Sequence, residues 1–244
     1  MRRKRFIVWG WLMIILLAGA GGLLGGSRKN KEVKAVTAMR VEAVERHTIS
    51  ERAAVTFTSA IQEIIANRKA TVVIDAGHGG EQPGCVVGGT LEKDVNLSIA
   101  MALKEELEKR GIAVILTRNS DKNVQLSDRT VYARSILADY FVSIHCNAYI
   151  WDRNVRGFQC FYYQSDQGKM LSDEITRLVK EKEIRIRGAE EADFRVLRES
   201  SIPAVLIEAG YLTNYGDRTA LTSREYQMDM AAIIAEGIDK ILQS

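Results

Sequence analysis

From Thr71 to the C-terminus, short apolar runs alternate with stretches in which hydrophobic residues recur at helical spacing. TVVID (71–75) is apolar and β-branched, which predicts a buried strand, and GHGGEQPG follows as a turn-rich loop. In DVNLSIAMALKEELEKRG, Val95, Ile99, Ala102, Leu103 and Leu107 share one face, predicting a helix capped by Asp94 and ended by Gly111. IAVILT (112–117), DYFVSIH (139–145), GFQCFYY (157–163) and a short run inside PAVLIEAG (203–210) predict further strands. LSDRTVYARSILA, KMLSDEITRLVKEK and the closing SREYQMDMAAIIAEGIDKILQS predict helices. Strands alternating with helices imply an α/β fold: a mostly parallel sheet flanked by helices on both faces, in one domain over 71–244.

The N-terminal pattern is different. A basic tail, residues 1–5 (MRRKR), precedes a charge-free apolar segment over 6–26. Those 21 residues span roughly 31 Å as a helix, close to a bilayer core of about 30 Å. Two readings compete: a signal anchor that stays in the membrane, and a signal peptide cleaved after Ala18-Gly-Ala20. The length favours the anchor. Arg28, Lys29, Lys31 and Lys34 balance the basic tail, so the positive-inside rule barely orients the segment. A short basic tail before an apolar run is nevertheless the usual export pattern, placing the domain on the extracytoplasmic side of the cytoplasmic membrane, or secreted after cleavage. Residues 27–70 read as a stalk or linker, with Val55, Ile61, Ile64 and Ile65 suited to a short amphipathic helix or to a partly ordered spacer. No internal repeat and no low-complexity tract is visible.

Charge sharpens this division. The net charge of +3 separates into +7 over residues 1–34, +1 over 35–70 and −5 from 71 onward. A mildly acidic body argues against a nucleic-acid-binding surface. Cys85, Cys146 and Cys160 lack CxxC or zinc-finger spacing. They read as small apolar residues, with a Cys146–Cys160 disulfide as the alternative.

Two of the three histidines, His78 in DAGHGG and His145 in SIHCNA, fall at predicted strand ends, where an open α/β sheet builds its site. Glu92 stands just before the first predicted helix. Two histidines and one carboxylate, with a fourth position left to water, make a catalytic zinc site. Glu208 ends the apolar run VLIE, where a carboxylate is costly to bury without a purpose. Singly, each has an ordinary structural reading: a hydrogen-bonded histidine, a helix-start acid, an ion-paired glutamate. Together they point to a metal hydrolase.

At VVIDAGHGG, LEKDVNL, SIHCNA and IEAGYLTN, in order from about Thr71 to Gln243, the sequence resembles the zinc-dependent N-acetylmuramoyl-L-alanine amidases. Its short plan looks most like the spore-cortex amidases of endospore formers. The resemblance implies a six-stranded sheet flanked by helices, Zn²⁺ held by His78, Glu92 and His145, and Glu208 as the catalytic residue. It also implies peptidoglycan as substrate, cut at the amide between N-acetylmuramic acid and L-Ala. Asp75 is a candidate partner behind a ligand, with helix or turn capping as the alternative. Asn147 shares a face with His145 if that strand continues, and could orient substrate or His145; a strand-end turn residue is the alternative. Tyr211 and Asn214 are candidates to line the groove. Ala76 stands where proline is common in the family and Arg134 where many relatives carry Asn. The stretch after SIHCNA is short and leaves little room for the inserted helix that occludes the site in some Gram-negative relatives. Two further functions stay open: a peptidoglycan-binding scaffold that depends on an activating protein partner, and a zinc peptidase cutting within stem peptides, which no HExxH supports.

Overall fold

The computed structural model describes residues 70–136 and 138–244. The basic tail, the apolar segment and the stalk up to residue 69 lie outside the described residues. Among the described residues no helix is long and apolar enough to cross a membrane.

The sheet is built from β1 (Thr71–Ala76), β4 (Ala113–Leu116), β5 (Tyr140–Asn147), β6 (Phe158–Tyr162), β7 (Ile186–Glu191) and β8 (Ala204–Tyr211), in the spatial order β4-β1-β5-β8-β6-β7. Every ladder is parallel except that between β6 and β8. A separate hairpin, β2 (Val86–Val87) and β3 (Thr90–Leu91), leads into the first helix. β1 and β8 are buried at every position, as expected of central strands covered on both faces.

The helices are α1 (Glu92–Lys109), α2 (Leu126–Ser135), α3 (Asp166–Glu181), α4 (Arg195–Arg198), α5 (Tyr215–Leu221) and α6 (Arg224–Gln243). The larger core lies on one face, where Ile99, Leu103, Ile175 and Ile234 of α1, α3 and α6 meet Ile74, Ile144 and Ile207 of the sheet. Burying each such side chain contributes about 1.5–3 kcal/mol relative to exposure. The opposite face carries a smaller core, in which α2 and α4 cover Val73, Phe141, Phe161 and Leu206. That face is the one on which Asp75, Ser143, His145 and Glu208 alternate with the buried apolar residues.

Several sequence-derived boundaries shift. α1 begins at Glu92, with Leu91 as the capping residue and no side-chain cap, so Asp94 sits in the first turn and does not cap. Gly111, at φ +74°, ends α1 as expected. Its N–H donates to Glu108 and that of Ile112 to Leu107, the paired bonds of a Schellman ending. α3 starts at Asp166, earlier than the apolar pattern, because the Ser165 side chain accepts from the Gly168 N–H at 3.0 Å. β7, IRGAEE, escaped the pattern because it is a half-exposed edge strand without strict alternation. α4 and α5 are too short to show a period. All three cysteines are free. Cys146 and Cys160 lie on β5 and β6, which β8 separates. Two strand spacings are roughly 10 Å, beyond the Cα separation of a disulfide.

Candidate active site

The loop after β1 is bent by its own backbone. His78 has φ +63°, a region that few non-glycine residues adopt and that concentrates at functional sites. Three contacts hold it there: the Gly77 N–H donates to the Ile144 carbonyl at 3.0 Å, Gly79 and Gln82 exchange backbone bonds, and Arg129 donates to the His78 carbonyl at 2.9 Å. Gly77 passes directly under the His145 ring. A Cβ added there would lie 2.3 Å from the ring atoms, so only glycine fits.

Glu92 reaches this loop from the first residue of α1. Its Oε1 lies 3.1 Å from His78 Nε2 and 2.9 Å from His145 Nδ1. Its Oε2 accepts from the Cys85 N–H at 2.8 Å. Burial alone would raise the Glu92 carboxyl, but hydrogen bonds from His145 and His78 outweigh it and hold the group well below the usual carboxylate range. The donor atoms of His78, Glu92 and His145 all lie within 4.8 Å of one another. Two imidazole nitrogens and an ionised carboxylate are a donor set that suits zinc. The structure thus brings together the three residues expected to bind metal.

Glu208 completes the group. It pairs in register with His145 across β8 and β5 and with Gln159 across β8 and β6. Its Oε2 is buried with no hydrogen-bond partner among the described residues. Burial first, and the charge of Glu92 second, push its carboxyl well above the ordinary value. A buried, unpartnered carboxyl oxygen beside a cluster of metal-type donors is positioned to exchange a proton with a bound molecule.

Asp75 is fully buried. It accepts from Thr117 at 2.7 Å, Ser143 at 2.8 Å and Arg129 at 2.6 Å. Arg129 in turn bonds the carbonyls of Ala76 and His78, so Asp75 supports the His78 loop through a buried ion pair and caps neither helix nor turn. Sequence reasoning missed Arg129, Arg118 and Asn96. Arg118, 1% exposed, donates to the carbonyls of Ala76, Gly77 and Lys93. Asn96 donates to Glu92 Oε1 and to the Gly77 carbonyl. The only available signal for Asn96 was its spacing, one helical turn past Glu92.

The remaining candidates divide. β5 does continue to Asn147, but the ladder shifts register between His145 and Asn147, and the Asn147 side chain accepts from the Ala148 N–H, a turn bond. Asn214 caps α5, accepting from Asp217, and donates to the Arg153 carbonyl. Tyr211 is buried at the site end of β8, its hydroxyl 3.5 Å from Gln159 Oε1. Residues 148–157, between β5 and β6, contain no helix over the site, as the short spacing implied.

The fold and this site define an α/β domain in which His78, Glu92 and His145 form a donor set that could hold a metal ion. Residues 72–240 match the family model of N-acetylmuramoyl-L-alanine amidase. AmiC2 of Nostoc punctiforme, an amidase of that name, superposes with a TM-score of 0.69 at 42% identity, covering 72% of this chain and 98% of that one. The CwlD amidase from Clostridioides difficile, solved in complex with the GerS lipoprotein, gives 0.68 at 34% identity, covering 71% and 98%. The sporulation-specific amidase of Bacillus subtilis is 34% identical over 174 residues, 69% of this chain and 67% of that protein. The chain belongs to the N-acetylmuramoyl-L-alanine amidase family, and its reaction is amide hydrolysis on peptidoglycan.

Proposed function

We propose that this protein hydrolyses the amide between the lactyl group of N-acetylmuramic acid and L-Ala of the stem peptide, with Zn²⁺ held by His78, Glu92 and His145. The observation that carries this reading is the pairing of Glu208 with His145, which sets a buried, unpartnered carboxyl oxygen beside the ligand cluster. Zinc, when bound, supplies a Lewis acid that polarises the amide carbonyl and acidifies water. Glu208 receives the proton released as the water's oxygen bonds to the carbonyl carbon, then delivers it to the nitrogen as the C–N bond breaks. Asp75 and Arg129 keep the His78 loop in place throughout. Asn96, on the helix turn behind Glu92, fixes that carboxylate.

Residues 6–26 tether the domain to the outer face of the cytoplasmic membrane, with 27–70 as its stalk; their charge-free length supports this. The complex of CwlD with a lipoprotein supports a protein partner for this chain. The sporulation-specific relative supports action during sporulation.

Mass spectrometry of digested peptidoglycan tests the reaction. An amidase releases intact stem peptides with a free L-Ala amine. Peptide fragments would replace this reading with a peptidase, and no release by the zinc-loaded chain would replace it with a binding scaffold.

A further inference from the structure

One charged residue beside the site has no role in the steps above. The ladder between β6 and β7 pairs Phe158 with Ile186 and then Gln159 with Gly188, leaving Arg187 as a bulge. Bulges re-aim a side chain. Here the guanidinium of exposed Arg187 reaches across β6 and sits 5.7 Å from the centroid of the Tyr211 ring on β8. Among the described residues Arg187 makes no ion pair, not even with Glu190 of its own strand. The cation is therefore held over an aromatic face with its hydrogen-bond donors free.

A continuous row connects this cation to the chemistry. His145 is in register with Glu208, Glu208 with Gln159, and Gln159 is bonded by the Tyr211 hydroxyl over which Arg187 stacks. Tyr211 lies three residues beyond Glu208 on the same strand, roughly 10 Å at about 3.3 Å per residue. An extended peptide leaving the scissile amide along this row covers that distance in about three residues. The guanidinium's planar fork matches a carboxylate.

We propose that Arg187 binds a free carboxylate of the stem peptide, carried two or three residues beyond the scissile amide. The assignment rests on the amidase reading and adds a subsite to it: an anion clamp that selects acidic stem peptides and fixes the direction in which the peptide leaves Glu208. A lysine at this position would keep the charge and lose the fork.

The test is steady-state kinetics of the full zinc-loaded chain on two muropeptides, identical except that the carboxyls of the second and third peptide residues are free in one and carboxamides in the other. Wild type, Arg187→Ala and Arg187→Lys are compared, with zinc content and melting temperature recorded for each. We expect Arg187→Ala to lose about tenfold or more in kcat/KM on the acidic substrate, mainly through KM, as for a lost charge-assisted bond. On the carboxamide, wild type has already lost that partner, so the two enzymes converge to within about twofold. Arg187→Lys recovers part of the loss on the acidic substrate alone. An equal loss on both substrates, or none on either, overturns the assignment while leaving the amidase reading intact. If the wild type cleaves neither muropeptide, the proposed reaction itself is wrong and this subsite falls with it.

Discussion

His145 and Glu208 face one another on adjacent parallel strands, β5 and β8, so the backbone ladder itself fixes the spacing between a metal-type ligand and a buried carboxyl group. Glu208→Gln should abolish hydrolysis while leaving zinc content and melting temperature unchanged. Loss of a positioned general base costs about 10²–10⁴ in rate, and the isosteric amide cannot take the proton. Near-wild-type turnover on purified muropeptides would show that the proton goes elsewhere.

His78 and His145 share Glu92 Oε1 as neighbour, within a cluster no wider than 4.8 Å. A His78→Ala, His145→Ala double variant should therefore retain no stoichiometric zinc. Metal analysis of the purified protein decides this, and full zinc retention in that variant would refute the ligand set.

Gly77→Ala would place a Cβ 2.3 Å from the His145 ring. Overpacking typically costs about 1–3 kcal/mol, and here the ring that must move is a proposed metal ligand. We expect lower zinc affinity along with a lower melting temperature, read by chelator competition and calorimetry. Unchanged zinc affinity would mean that the loop, not the ring, yields.

Arg129→Met leaves Asp75 buried without its cation, a change that typically costs about 3–5 kcal/mol. Chemical denaturation should show that loss. The double variant Asp75→Leu, Arg129→Met should be less destabilised than Arg129→Met, because no lone charge then stays buried. A double variant worse than the single would show that the pair is held by hydrogen bonds rather than by charge.

For residues 6–26, fractionation and N-terminal sequencing of the native protein give a direct result. The expected outcome is a membrane-bound chain with its N-terminus intact. A soluble mature chain beginning near Gly21 would establish cleavage instead.

The strands that carry the site were legible because β1, β5 and β8 are buried on both faces and read as apolar runs; His145 and Glu208 break those runs, and His78 follows one. Glu92 was found by its place before a helix, although that helix starts at Glu92 itself because Leu91, not Asp94, precedes its first turn. The support was not legible. Arg118 and Arg129 look like ordinary surface residues in sequence, and their roles depend on backbone carbonyls that only the folded loop turns toward them. The capping role of Asn214 was not legible because its partner, α5, has too few residues to show a period. The bulge at Arg187 leaves no trace in composition, since it is a property of pairing between two strands.

The position of β8 has a consequence for when the protein becomes active. This strand is the last to be synthesised, yet it inserts between β5 and β6 and delivers Glu208 to ligands contributed much earlier in the chain. Such distant pairings form late relative to local structure. A growing chain therefore carries the histidines before the glutamate that faces them, an unfolded one holds them apart, and an enzyme able to cut the wall stays inert until its domain has closed around that strand.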